Sequence, residues 1–344
     1  MGEVLTQQPT TPPAQAEPAG RSVGMAWTLW LLRRVGLAVL TLWLVSVLVF
    51  FATAALGDPI RAILGKDYAA SPERVATLTE QLQLDQPLVQ RYFDWLGGLL
   101  TGDFGTSLVT QMPVSDLIGD RIVNSAVLVL LAALIMIPLS FGIAMISANA
   151  RGRRLDYAIQ VVLLTLAGLP EFVVGILLVA LLSTTVLHLL PAVTISSVDG
   201  GPWENPASMI LPVLTLVFAV TPYVTRIMRS TLVEVLDSDY AELARLKGIP
   251  ERIVVRKHAL LNAIVPAIQV IALQLAWLAG GVVIVEYLFS YPGIGASLVD
   301  AVRNSDFAVV QALSMVIAAV YVVVNLVADV LSILFNPRAR TSIA

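Results

Sequence analysis

Cysteine is absent from this chain, which removes a disulfide framework, a thiolate metal site and a thiol nucleophile together. Histidine is nearly absent: His188 and His258 are the only two. The hydropathy pattern puts them on opposite sides of an apolar layer, so they share neither a metal nor a catalytic site, and no Ser is positioned with either. Charge is scarce as well, at 13% of residues, about half of what a soluble surface carries. What fills the gap is apolar: 57% of the 344 residues are hydrophobic and mean hydropathy is +0.84. Composition overrides the several soluble domains that length alone would suggest and specifies an all-α integral membrane protein.

The first residues are a tail in which Pro9, Pro12, Pro13 and Pro18 sit among Thr, Gln, Ala and Glu with almost nothing to bury. Arg33 and Arg34 then precede the uncharged run Val35 to Leu56, 22 residues long. Ala52-Thr53-Ala54 resembles a signal-cleavage site, but the run is long enough to span and reads as an uncleaved first crossing. Five further runs qualify, at about 122–147, 155–182, 208–224, 263–289 and 307–335. The 208–224 run is the shortest, with Pro212 and Pro222 near its ends. The expected organisation is a tail over 1–26, a first span over 27–56 and an extracytoplasmic helical region over 57–121. A membrane core over 122–335 follows, carrying a hairpin at 238–266, and a tail over 336–344 closes the chain.

Basic residues orient the spans. Arg33 and Arg34, the cluster Arg151, Arg153 and Arg154, seven Lys or Arg from Arg226 to Lys257, and Arg338 with Arg340 fall on one side. Residues 183–207 hold no Lys or Arg, and 291–306 hold only Arg303. Six spans with both termini cytoplasmic follow. The long 57–121 connection, with five basic and nine acidic residues, counts little in this rule. It carries its own helix signals: Ser71-Pro72-Glu73 is a start with Ser as cap, and Leu88, Tyr92, Trp95 and Leu99 align on one face of a second helix. The aromatics suit the headgroup level. This region reads either as a small cap on the spans or as a landing surface for an external protein.

The most informative stretch is the charged island from Ser238 to Pro266. Asp239 caps a short helix running to about Lys247, whose small apolar side is Ala241, Leu243 and Ala244, suited to close approach by a partner. Gly248 permits the left-handed turn that ends it, and Pro250 opens a second helix from Glu251 to about Leu261. Two short helices are marginal alone, so a partner should pack on them. The alternative is an ordinary basic loop that holds anionic lipid headgroups.

Glu242, Ala244, Gly248, Val265 and Pro266 match the EAA loop of ATP-binding cassette importer permeases, while Leu243 departs from its first alanine. Ordered matches extend along the chain. They run through Gly57-Asp58-Pro59, Leu84-Asp85-Gln86-Pro87-Leu88, Gly102-Asp103-Phe104-Gly105, Pro113-Val114 and Pro170-Glu171-Phe172. They continue through Leu190-Pro191, Asp239-Tyr240, Lys247-Gly248, His258-Ala259-Leu260, Pro292-Gly293-Ile294-Gly295, Asn325-Leu326 and Pro337-Arg338. From about Leu31 to Arg338 the chain resembles the first-type permease of dipeptide and oligopeptide importers. The long tail before Trp27 departs from that pattern.

The resemblance implies a type I importer permease of a prokaryotic cell membrane, with the hairpin as the coupling helix seated on an ATPase. Its contact residues would be Asp239, Tyr240, Ala241, Glu242, Ala244, Arg245, Lys247, Gly248 and His258. It implies a second permease, one or two ATPases and an external peptide-binding protein as partners, with membrane lipid and no nucleic acid. No cofactor belongs to the chain itself; ATP and magnesium would sit in the ATPases. Consistently, the chain has no GxxxxGK[ST] phosphate loop, since Gly65-Lys66 is followed by Asp67. Permeases of this pattern also import nickel or another small solute. An ion-coupled secondary carrier is a further alternative, against which stand the single hairpin and the lack of an internal repeat.

Within the membrane, Glu171 beside Pro170 in the middle of the third run is the leading pathway candidate. An intramembrane carboxylate faces a bundle interior or a wet cavity. It could meet a peptide's amino terminus, bond a carbonyl freed near Pro170, or serve a structural partner. Glu286 and Asp329 lie nearer span ends, where solvation is easier, with Glu286 retained as a pathway candidate. Asn325 and Gln274 read as interhelical glue. The Pro292–Gly295 turn needs no more than local backbone chemistry.

Overall fold

The computed structural model describes residues 23–55, 60, 72–81, 84–195, 200–250, 253–254 and 260–335. The tail before Val23, Gly57-Asp58-Pro59, the Ser71 cap, His258 and residues 336–344 lie outside them. Among the described residues the elements are helical, with a lone bridge between Thr106 and Pro113. In chain order they are α1 (Val23–Ala55), α2 (Pro72–Gln81), α3 (Leu88–Thr101), α4 (Val114–Asn149), α5 (Arg154–Ala167) and α6 (Glu171–Val179). Then come α7 (Pro206–Leu236), α8 (Asp239–Leu246), α9 (Leu260–Leu288), α10 (Ile294–Arg303) and α11 (Phe307–Phe335).

Four of these, α1, α4, α7 and α11, are long and apolar enough to cross a membrane unbroken; counting each bent pair as one crossing gives six. One bent pair is α5 with α6, at 104°, and the other lies within α9, at 47°. The third apolar run is therefore not a straight span.

α7 is the hub. Its most apolar stretch is 72% buried, against 11% for α1 and 28% for α4 and α11. The 208–224 run, shortest in hydropathy, thus becomes a 31-residue helix that includes Arg226 and Arg229. Pro212 and Pro222 lie inside it; neighbouring helices supply the packing that tolerates the missing backbone donors. α4 lies along α7 through small side chains, Ala132, Ala144, Ser147 and Ala148, which let the two backbones approach. Leu128, Met136, Leu216, Val220, Met228 and Leu278 fill the core between α4, α7 and α9. α1 flanks the bundle against α11, tied by Gln311 donating to Thr53 Oγ1 at 2.6 Å and by the Arg34–Asp329 ion pair at 2.9 Å.

α3 ends at Gly102, whose φ of 86° allows the N–H groups of Gly102 and Asp103 to return to Leu99 and Gly98. Its aromatic face turns onto α1. Tyr92 is buried, its hydroxyl 2.9 Å from Ser46 Oγ, and the Phe50 ring lies 5.5 Å from both Tyr92, edge to face, and Trp95, tilted.

Candidate functional site

The island begins where α7 ends. Ser238, in extended conformation, is the residue before α8, so it takes the cap position expected of Asp239; its hydroxyl donates back to Val235 O at 2.6 Å. Asp239 and Glu242 lie in the first turn and Arg245 in the last, matching the helix dipole. Gly248 has φ of 75°, and its N–H donates to Arg245 O at 2.9 Å, closing the helix as the sequence suggests.

The face of α8 differs from expectation. Ala241 and Ala244 are turned inward, packed on Val254, Leu236 and Ile249. Their small size serves close approach by this chain's own returning segment, so they leave the set of residues open to a partner. Exposed instead are Glu242, Lys247, Leu243 and Leu246, the two leucines at 56% and 77%. The Arg245 guanidinium donates to Leu236 O at 3.0 Å. Of Tyr240 only the backbone is described, and His258 lies outside the described residues.

A polar clamp sits at the root of this hairpin. Asp156, in the first turn of α5, accepts from Arg229 of α7 through Nε at 2.8 Å and Nη2 at 2.6 Å. Ser147 Oγ of α4 donates to the same carboxylate at 2.6 Å, and Gly152 N at 3.2 Å. Next to it Arg151 pairs with Asp237, just before α8. Three helices and the hairpin are tied at one point. Sequence reading counted Arg229 only among the basic residues that orient the spans; an arginine still inside an apolar period, with an aspartate following the tight Arg151–Arg154 turn, was the available signal.

The second locus is the α5–α6 break. Gly168 N returns to Leu164 O at 3.1 Å, Pro170 is extended, and Glu171 opens α6. The carbonyl freed at Ala167 is taken by the Tyr223 hydroxyl of α7 at 3.2 Å, a partner that sequence did not reveal. Glu171 is half-buried, and among the described residues no hydrogen bond or ion pair engages its carboxylate. The N-terminal dipole of α6 favours its charge.

Glu286 is 0% exposed, so the expectation of easy solvation near a span end is corrected. It accepts from Ser125 Oγ of α4 and from the N–H groups of Gly295 at 2.6 Å and Ala296 at 3.2 Å. The chain reverses after α9 and lays the start of α10 on this carboxylate. Ile294 N donates to Ser125 Oγ at 2.9 Å, Asn124 Nδ2 to Pro292 O at 2.7 Å, and the Tyr291 hydroxyl to Asn124 O at 2.8 Å. A Cβ at Gly293 would collide with the Glu286 carboxyl, and one at Gly295 with the Val283 backbone. The Pro292–Gly295 turn therefore answers a tertiary demand for space, not local chemistry, and Glu286 lines no open pathway here.

The family model of the binding-protein-dependent transport system inner membrane component matches residues 140–341, and that of its N-terminal part matches 28–129. The chain is 36% identical over 312 residues to the glutathione transport system permease protein GsiC of Salmonella typhi, covering 90% of this chain and 98% of that protein. The protein of the same name from Escherichia coli (strain K12) is 36% identical over 301 residues, with 87% and 95% covered. The matches take in α8, the α5–α6 break and the Glu286 turn alike. This chain thus belongs to the binding-protein-dependent transport system inner membrane components, as a type I permease subunit of an ATP-binding cassette importer.

Proposed function

We propose that this permease subunit imports di- or oligopeptides and receives the ATP-driven stroke through α8. Family membership supplies the coarser frame: an inner-membrane importer subunit working with a partner permease, ATPases and a binding protein. The observation that carries the coupling assignment is the pair Leu243 and Leu246, exposed on an eight-residue helix. So short a helix is marginal alone, and two leucines facing water favour burial in a groove of a soluble subunit. On this reading both termini and α8 share the ATPase side, in keeping with the basic residues there. Arg151–Asp237 and Asp156–Arg229 would carry the movement from α8 into α4, α5 and α7.

Peptide as cargo is supported by the relatives, named for glutathione, itself a small peptide with a free amine and carboxylates. Glu171, unpaired and half-buried at a helix break, is the group on this chain suited to a peptide ammonium. Hydrolysis of ATP is assigned to the partner subunits. The test is co-purification of the assembled transporter carrying Leu243→Glu and Leu246→Glu. Loss of the ATPase subunits from a normally folded permease is expected; full retention with substrate-stimulated ATPase activity would move the coupling surface elsewhere.

A further inference from the structure

Along the flank where α1 meets α11, two cavities join. One, of about 340 Å³, is lined by Arg34, Thr41, Tyr321, Asn325 and Asp329. The next, of about 380 Å³, shares Thr41, Tyr321 and Val322 with it and continues between Val45, Trp277 and Ile317. Together they form one groove whose chemistry changes in order along its length. At its mouth Arg34 pairs with Asp329 and lies 5.6 Å above the Trp30 ring, while Arg33, exposed and without an ion-pair partner among the described residues, precedes the groove-lining Leu37 by one helical turn and so shares its face of α1. Trp27 and Trp30 stack edge to face there, as side chains do at headgroup level.

One to two turns deeper, roughly 6–12 Å at 1.5 Å per residue, come Asn325, Thr41 and Tyr321. The Tyr321 hydroxyl has no hydrogen-bond partner among the described residues, although the residue is 47% exposed toward the groove and membrane. Beyond them the walls are mainly apolar. From Asp329 to Ser314 the groove runs roughly 20 Å, more than one hydrocarbon leaflet.

We infer that this groove is a binding site for one anionic glycerophospholipid. Its phosphate meets Arg33 and the outer side of Arg34, its ester carbonyls accept from the Tyr321 hydroxyl and from the second amide hydrogen of Asn325, whose Nδ2 also donates to Tyr321 O at 2.8 Å, and an acyl chain lies along Val45, Trp277 and Ile317. Charge, then hydroxyl and amide, then hydrocarbon is the order of groups along such a lipid. A basic pocket between transmembrane helices at the membrane surface is the setting in which anionic headgroups are held. An apolar helix of a second permease would fill the deep end, but would leave Arg33 unanswered and the Tyr321 hydroxyl facing hydrocarbon, so lipid is the better match.

The experiment is native mass spectrometry of the full chain, with whatever partners co-purify, titrated with phosphatidylglycerol and phosphatidylcholine of identical acyl chains. One phosphatidylglycerol per copy should be retained at least fivefold over phosphatidylcholine. Arg33→Gln, which leaves the Arg34–Asp329 pair intact, should remove that preference at an unchanged melting temperature. Tyr321→Phe should weaken both lipids together. Equal retention of the two lipids by the unmodified chain, or a preference that survives Arg33→Gln, overturns the site. A phosphatidylglycerol with a photoreactive acyl chain should label peptides containing Thr41–Val45 and Ser314–Val322 in the assembled transporter. Labelling of those peptides only in the isolated chain would give the groove to a partner helix and equally overturn the proposal.

Discussion

At the scale of single residues, two acids in the apolar core have opposite fates. Glu286 is enclosed, its oxygens met by a hydroxyl and two backbone N–H groups, and it acts as the floor on which α10 starts. Gly295→Ala inserts a methyl against the Val283 backbone. Overpacking of this kind costs about 1–3 kcal/mol, to be read as a lowered thermal midpoint in detergent with α10 more open to protease. Glu171, by contrast, holds no partner, so Glu171→Gln should leave the melting temperature nearly unchanged. If it meets a peptide amine, the substitution should weaken uptake of peptides with a free amino terminus roughly tenfold, as for a lost charge-assisted bond. Uptake of N-acetylated peptides should be unaffected. Equal loss for both classes would return Glu171 to a structural role.

At the scale of elements, helices with strong end signals were legible in the sequence. Gly248 closing α8, the span Phe307–Phe335 and the helix after Pro87 all follow from local chemistry, and the structure has them there. Gly248→Ala places a side chain at a φ of 75°, where space is open but the backbone is strained. The cost is about 1 kcal/mol, and the readout is ATPase activity that persists while substrate stimulation falls. Not legible was which face of α8 the chain covers itself, because Ala241 and Ala244 meet Val254 only after the segment returns. Hydropathy likewise could not show the 104° break at Pro170, since the run stays apolar across the bend. Its freed carbonyl is satisfied by Tyr223, 56 residues away.

At the scale of the whole molecule, apolar composition and ordered motifs were enough to give the fold class, while the ties between helices were not. Asp156 with Arg229, Arg34 with Asp329 and Ser107 with Asp306 each join distant segments, and hydropathy scores each member as one more charge or hydroxyl. An importer permease that depends on partners should show no uptake when reconstituted alone under a proton or sodium gradient. Uptake should appear with the partner permease, ATPases and binding protein when ATP is supplied. Gradient-driven uptake by the isolated chain would instead identify a carrier. The Arg229 clamp also bears on how the protein is made. On the orientation proposed above, Arg229 would be a bare cation while α7 inserts and would help keep its end of the helix from crossing. After α5 docks, the same guanidinium is neutralised by Asp156 and largely withdrawn from water. One side chain would then serve biogenesis first and architecture afterwards, and a neutral replacement is expected to lower the yield of inserted protein before it shows in the stability of the folded one.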